Sequence, residues 1–232
     1  MKINICHITS FLLVVAIAAC KKDNYKEPSA QLSGQLQYKG EIINVERNQV
    51  PFQLFQYGFG KVGAINGTFA QDGTYGALLF NGTYKFLIPS GQGPFLWKEL
   101  APGVPDSMSV TMSGNQTLNI EVTPYYMIRS AQFSAAGGKV TATFKADKII
   151  QDANAKNIER VSLYINSGQF VGTDNIAAAD MAGTAIIDPA NISLQVTIPT
   201  ITPAQNYVYA RVGLKIANVE DMIFSPLTKV SF

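Results

Sequence analysis

Asn66-Gly67-Thr68-Phe69, Asp72-Gly73-Thr74-Tyr75 and Asn81-Gly82-Thr83-Tyr84 repeat one pattern three times in a short stretch. Asn-Gly and Asp-Gly tolerate positive φ and are the strongest short hairpin signals, so each pair predicts a turn and each aromatic a strand. The flanking sequence agrees. Tyr84, Phe86 and Ile88 form one predicted buried face until Pro89 stops it. Upstream, Leu32, Gly34, Leu36 and Tyr38 alternate with Gln31, Ser33, Gln35 and Gln37, and Phe52 and Leu54 flank Gln53 in a strand over 51–57. Downstream, Met108, Val110 and Met112, then Leu118, Ile120 and Val122, oppose Ser, Thr, Asn and Glu. The turn Ser113-Gly114-Asn115-Gln116 predicts that these last two runs form a hairpin. A period of two is the mark of a half-buried strand.

Thr123-Pro124-Tyr125-Tyr126 interrupts the pattern and sets a domain boundary there, giving domains over 31–123 and 124–232. Strands are then predicted over 127–133, 139–145, 160–166, 192–198, 207–217 and 223–232. Short strands at this density, with turn residues between them, suggest an immunoglobulin-like sandwich. Residues 147–159 lack a continuous apolar stripe and read as a loop. The predicted fold class is all-β, with two β-sandwich domains in tandem.

The start of the chain follows a different logic. Lys2 precedes nine apolar residues, 11–19, which cover about half of a bilayer's hydrocarbon core. A charged start, a short apolar middle and small residues before a cut make a secretory signal. Ile17-Ala18-Ala19-Cys20 resembles a bacterial lipobox, which makes Cys20 the lipidation site, residues 1–19 the signal peptide and 20–30 a tether. The expectation is membrane attachment through the lipid.

Charge and rare residues bound the chemistry. With 18 basic and 16 acidic side chains, the chain has no electrostatic footprint for nucleic acid. Its single histidine, His7, and Cys6 fall in the signal, and Cys20 would be consumed by lipid. Catalysis by Ser-His-Asp or Cys-His needs an imidazole base, and zinc and copper prefer nitrogen and sulfur ligands. No metal site and no cofactor is therefore expected. Asp174, Asn175 and Asp180 carry oxygen ligands, but their spacing does not match a calcium loop.

Several stretches together carry a family resemblance: the lipobox, Asp23-Asn24-Tyr25 with Pro28, Leu32-Ser33-Gly34-Gln35-Leu36, Asp72-Gly73-Thr74-Tyr75, residues 79–84, Gly93-Pro94-Phe95 and Val122-Thr123-Pro124-Tyr125. In this order they resemble the two-domain surface lipoproteins of unknown function of Bacteroidetes, encoded beside SusC/SusD-type glycan uptake systems. The resemblance implies a transthyretin or carboxypeptidase-regulatory-like first sandwich and an immunoglobulin or fibronectin type III-like second one. It implies an outer-membrane location and SusC/SusD-type partners, and it supplies no catalytic residues. The resemblance implies a cell-surface-facing anchor; Lys21-Lys22 stands where surface-displayed members often carry acidic residues, which keeps the periplasmic face as the alternative.

Trp97, the single tryptophan, sits near Phe95 in a Gly/Pro loop, and Tyr57 ends the strand predicted over 51–57 with Phe59 just after it. Aromatic faces stack on sugar C–H groups, so these four are candidates for a polysaccharide platform; the alternative is that they pack on the core or the domain seam. Asp106-Ser107-Met108 resembles the O-glycosylation acceptor of Bacteroidetes, making Ser107 a candidate. Tyr207 or Tyr209, beside Arg211, is a candidate tyrosine corner. A glycosidase needs two facing carboxylates, and no pair stands out. The sequence reads as a non-catalytic accessory glycan-binding lipoprotein, with a protein-docking module as the alternative and a polysaccharide-acting enzyme last.

Overall fold

Residues 26–58 and 62–232 are described by the computed structural model; Cys20, the signal expected before it, most of the expected tether and Phe59 lie outside the described residues. The architecture is all-β. The first domain holds β1 (Ala30–Tyr38), β2 (Asn44–Val45), β3 (Pro51–Gln56), β4 (Ala64–Thr68), β5 (Thr74–Leu79), β6 (Gly82–Leu87) and β7 (Met108–Met112). One sheet orders them β7-β6-β3-β4. The other is built on β1, which pairs antiparallel with β5 and parallel with Gln116–Thr117 and Ile120–Glu121. Period-two alternation decides which face is buried. Leu32, Leu36, Phe52, Leu54 and Phe86 are fully enclosed between the sheets. Phe52 lies 5.1 Å from Tyr75 across the gap and stacks on Phe86 at 5.2 Å, the spacing that favours aromatic pairs.

The hairpin expected across Ser113–Gln116 does not form. β7 stays beside β6, while the chain after it crosses to the other sheet and runs parallel to β1. Parallel pairing makes Ile120 and Val122 as buried as a hairpin would, so their alternation was blind to the partner. Only one of the three Gly-Thr-aromatic repeats is a tight turn. Gly73 has φ +76, its N–H bonds to the carbonyl of Ala70 at 2.9 Å, and Asp72 accepts from the Thr74 N–H at 3.1 Å. Asn81-Gly82 instead carries the chain from one sheet to the other. Asn66-Gly67 lies inside β4, where a Cβ on Gly67 would sit 2.2 Å from Cζ of Phe52. Glycine is there for the ring, not for a turn.

The second domain is an immunoglobulin-like sandwich of β8 (Tyr126–Ala136), β9 (Lys139–Lys148), β10 (Ile158–Asn166), β11 (Ala177–Ala182), β12 (Ile192–Thr197), β13 (Tyr207–Ile216), β14 (Met222–Phe224) and β15 (Thr228–Ser231). One sheet is β8-β9-β12 and the other β11-β10-β13-β14, with β15 beside β13. β11 escapes sequence reading because its alanines and half-buried pattern give no contrast between faces. The run expected over 223–232 divides at Ser225-Pro226, since Pro cannot donate to a ladder.

The two domains are sewn together. β2 of the first adds antiparallel to β14 of the second, pairing Val45 with Ile223 and Asn44 with Phe224. One apolar cluster runs from Leu32 through Phe86 to Val212. Strands β10 and β13 are consequently buried on both faces. Val161, Leu163 and Ile165 fill the sandwich, while Ser162 and Tyr164 are covered on the other side.

Candidate functional site

Beside this seam opens a cleft of about 400 Å³ between the 90–103 loop of the first domain and the second. Phe95, Trp97 and Tyr125 supply its aromatic surface, and Glu99, Lys156 and Ser90 its polar surface. The loop leaves β6 at Pro89 and is fixed by short strand pairing of Phe95–Leu96 with Thr123–Pro124. Gly93 adopts φ +83 beneath the ring of Phe95, whose Cζ would lie 2.3 Å from a Cβ there. That enclosure leaves Phe95 only 4% exposed, so it forms a wall of the cleft.

Trp97 is half-buried. Its Nε1 donates to the carbonyl of Asp106 at 2.8 Å and its ring meets the edge of Phe86 at 6.4 Å. An indole held in this way keeps one orientation while presenting part of its surface to the cleft. Opposite, Lys156 donates from Nζ to the carbonyl of Asn218 at 2.9 Å and lies 5.2 Å from the ring centre of Tyr125. Glu99 accepts from the Ser90 hydroxyl and from the Gly103 N–H at 3.2 Å, closing the small hairpin that rims the cleft. Beneath it, Asp221 accepts from the Gly93 N–H at 2.6 Å. Burial pushes the Asp221 carboxyl above the usual carboxylate range, and this hydrogen bond opposes the shift.

The structure brings Phe95 and Trp97 into one site and leaves Tyr57 apart. β3 ends beside Tyr84, near the start of β6, whereas Trp97 is reached from the other end of that strand. Tyr57 is 64% exposed there. Phe59 lies outside the described residues, as does Cys20, the residue expected from sequence to carry lipid. Ser107 is half-buried: its N–H bonds Asp106 Oδ1 at 2.7 Å and its carbonyl accepts from Lys98, which also pairs with Asp106 at 3.0 Å. The Lys98 hydrogen bond holds the Asp106 carboxyl below its ordinary range. Asn175 turns its amide onto the carbonyls of Gly172 and Thr173, and no three His, Cys, Asp or Glu side chains gather into a metal-binding group among the described residues. The tyrosine corner is not formed as expected. Tyr209 instead accepts from Gln169 at 3.4 Å and Tyr207 packs edge-on against it.

Sequence reading missed Tyr125, Lys156 and Asn218, which come from the second domain and carry no local signal. It also missed Arg211 as the centre of the seam. This fully buried guanidinium donates to the carbonyls of Ser225, Val171, Val45 and Gln71 at 2.9–3.2 Å and lies 4.4 Å from the ring centre of Phe224. Burial presses its pKa down to about 9, against the pull of Glu46 and Asp72, so it remains a cation at neutral pH.

Comparison with known proteins places these features in a lineage. Residues 30–123 match the family model described as "Protein of unknown function (DUF3823) N-terminal domain", and residues 126–229 match "Domain of unknown function (DUF3823_C)". A crystal structure of a DUF3823 family protein from Bacteroides ovatus is 32% identical, with TM-score 0.76, covering 88% of this chain and 99% of that one. One from Parabacteroides merdae is 30% identical, also with TM-score 0.76, covering 89% and 100%. A Bacteroides uniformis structure, described as a candidate carbohydrate binding protein, shares the fold at 17% identity and TM-score 0.67, covering 88% and 100%. Among the curated proteins none matches the chain.

Proposed function

The chain belongs to the DUF3823 family, and from that premise we propose that it is a non-catalytic accessory lipoprotein that binds or presents glycan to a polysaccharide uptake system. The observation that carries this reading is Trp97: a fixed, partly exposed indole beside Phe95 and Tyr125 in a cleft whose polar groups are hydroxyl, amide, carboxylate and ammonium. Sugars offer C–H faces to such a ring and hydroxyls to such a rim. The description of the Bacteroides uniformis relative agrees with it. Glu99 is the one carboxylate lining the cleft and is shared between Ser90 and Gly103, whereas the common route of glycoside hydrolysis takes two facing carboxyls. In this reading Cys20 carries the lipid, the folded part stands off the outer membrane on its tether, and SusC/SusD-type proteins are its partners. A docking module is the second reading. It draws on the rim hairpin, whose Leu100 is 73% and Val104 49% exposed.

Native affinity electrophoresis against plant, host and microbial polysaccharides tests the proposal. Retardation of the wild type that Trp97→Ala abolishes and Trp97→Phe largely retains supports it. Absence of retardation on every glycan transfers the reading to the docking module, to be pursued by pull-down from outer membranes. Loss of palmitate incorporation in Cys20→Ala tests the anchor separately.

A further inference from the structure

The outward face of the β7-β6-β3-β4 sheet carries a pattern that the cleft does not explain. On β3, Gln53 and Phe55 point away from the core while Phe52 and Leu54 point into it, and the same alternation carries Tyr57 outward just beyond the strand. Neighbouring strands add hydroxyls and amides at matched register: Phe55 stands beside Lys85, which stands beside Ser109. Lateral hydrogen bonds then lay these side chains flat. Gln53 Nε2 donates to Asn66 Oδ1 at 3.1 Å, the Thr83 and Thr111 hydroxyls meet at 3.2 Å, and Lys85 Nζ donates to Ser109 Oγ at 2.7 Å. Two aromatics spaced two residues apart, about 7 Å along the strand, the half-buried Phe55 and the exposed Tyr57, thus stand on a face whose other side chains are mostly polar, with Leu87 and Ala64 the apolar ones among their neighbours. Lys85 is the one charge in these rows, and it is engaged by Ser109.

We propose that this face is a second carbohydrate-contacting surface, on which Phe55 and Tyr57 stack against successive units of an uncharged polysaccharide. The inference rests on the glycan-binding reading above and names a ligand class for a separate surface. The chemistry selects the occupant. The strands of this face carry no carboxylate to recruit a basic partner, and their single cation, Lys85, donates to a neutral hydroxyl, so an acidic chain meets one isolated charge and no basic cluster to hold it. A neutral polysaccharide matches it, since C–H faces cover the rings and hydroxyls exchange with Gln53, Asn66, Thr83 and Thr111. A flat face, as opposed to a closed pocket, suits a chain longer than the ligand seated at Trp97.

The experiment is affinity electrophoresis of the full chain through gels containing dextran, xyloglucan, galactomannan or laminarin, with polygalacturonate as the charged comparison. Phe55→Ala/Tyr57→Ala is run beside Trp97→Ala, and Tyr57→Phe beside Tyr57→Ala. The expected result is retardation by a neutral polysaccharide, weakened about threefold to tenfold in Phe55→Ala/Tyr57→Ala and retained in Tyr57→Phe. Equal melting temperatures for wild type and Tyr57→Ala keep the comparison one of binding. If Trp97→Ala abolishes retardation while the Phe55/Tyr57 variants match wild type, the sheet face is overturned and the cleft stands. If the Phe55/Tyr57 variants lose retardation and Trp97→Ala does not, the face stands and the cleft falls. Retardation by polygalacturonate alone overturns the ligand class, and no retardation in any gel overturns both surfaces.

Discussion

Arg211 of β13 donates from Nη2 to the carbonyl of Val45, 166 residues away in sequence, at 3.2 Å across the boundary between the two domains. The same nitrogen reaches Gln71 at 2.9 Å, so one side chain satisfies two first-domain carbonyls that the seam would otherwise bury without donors. Nε and Nη1 hold Ser225 and Val171 of its own domain. A charged donor makes each of these bonds stronger than its neutral equivalent.

Arg211→Met is therefore expected to destabilise the protein by on the order of 3–5 kcal/mol, because it strands several buried acceptors at once. For a chain of this size that lowers Tm by on the order of 10 °C. Calorimetry checks it, and a loss below about 1 kcal/mol would mean that water or a neighbouring donor replaces the guanidinium.

A second tie crosses the seam at Asp221, which accepts from the Gly93 N–H. Burial raises its carboxyl pKa in the folded state, with Glu220 and Glu46 adding to the rise and Lys215 opposing it. An acid with a raised folded pKa binds more protons folded than unfolded between the two values, so stability falls as pH rises through that window. Asp221→Asn keeps an acceptor for Gly93 and removes the charge. Urea midpoints measured from pH 4 to 7 should show wild type losing stability relative to Asp221→Asn as pH rises. Parallel curves would show that the carboxyl is better solvated than its burial implies.

Gly67→Ala tests why glycine follows Asn66. Phe52 cannot yield to a new Cβ, because Phe69, Tyr75 and Phe86 surround it at 5.1–5.4 Å. Overpacking of this kind costs roughly 1–3 kcal/mol. Gly58→Ala, in open space at φ +81, should cost less, since only backbone strain opposes it. Denaturation of both variants ranks them, and a larger loss at Gly58 would contradict the packing account.

These cases mark what a sequence can reveal. The alternation in β1, β6 and β7 was legible because burial on one face writes a period of two directly into residue type. Asn66-Gly67 misled because a glycine needed for ring clearance looks identical to one needed for positive φ. Arg211 was legible only as a neighbour of Tyr209, since its partners are backbone carbonyls, which every residue has. β2, two residues long, is too short to show any period, yet it joins the sheets. In the cleft, Phe95 and Trp97 stood out by type and proximity. Lys156 and Asn218 reach it through the domain arrangement alone.

Trp97 offers a final test of that arrangement, because it is the single tryptophan and lies wholly in the first domain. Its emission reports the Phe86 contact and the Asp106 hydrogen bond, while far-ultraviolet circular dichroism reports strands of both domains. A shared sheet at Val45 and Ile223 and a continuous apolar cluster should make the two halves melt as one, so the two probes should give coincident denaturant curves. In Arg211→Met the seam loses its buried donors, and the curves should separate. Separate curves in the wild type would mean that the first domain unfolds on its own and that the seam couples the halves weakly. Coincident curves in Arg211→Met, at a lower midpoint, would assign the coupling to the β2–β14 pairing and the apolar cluster without the guanidinium.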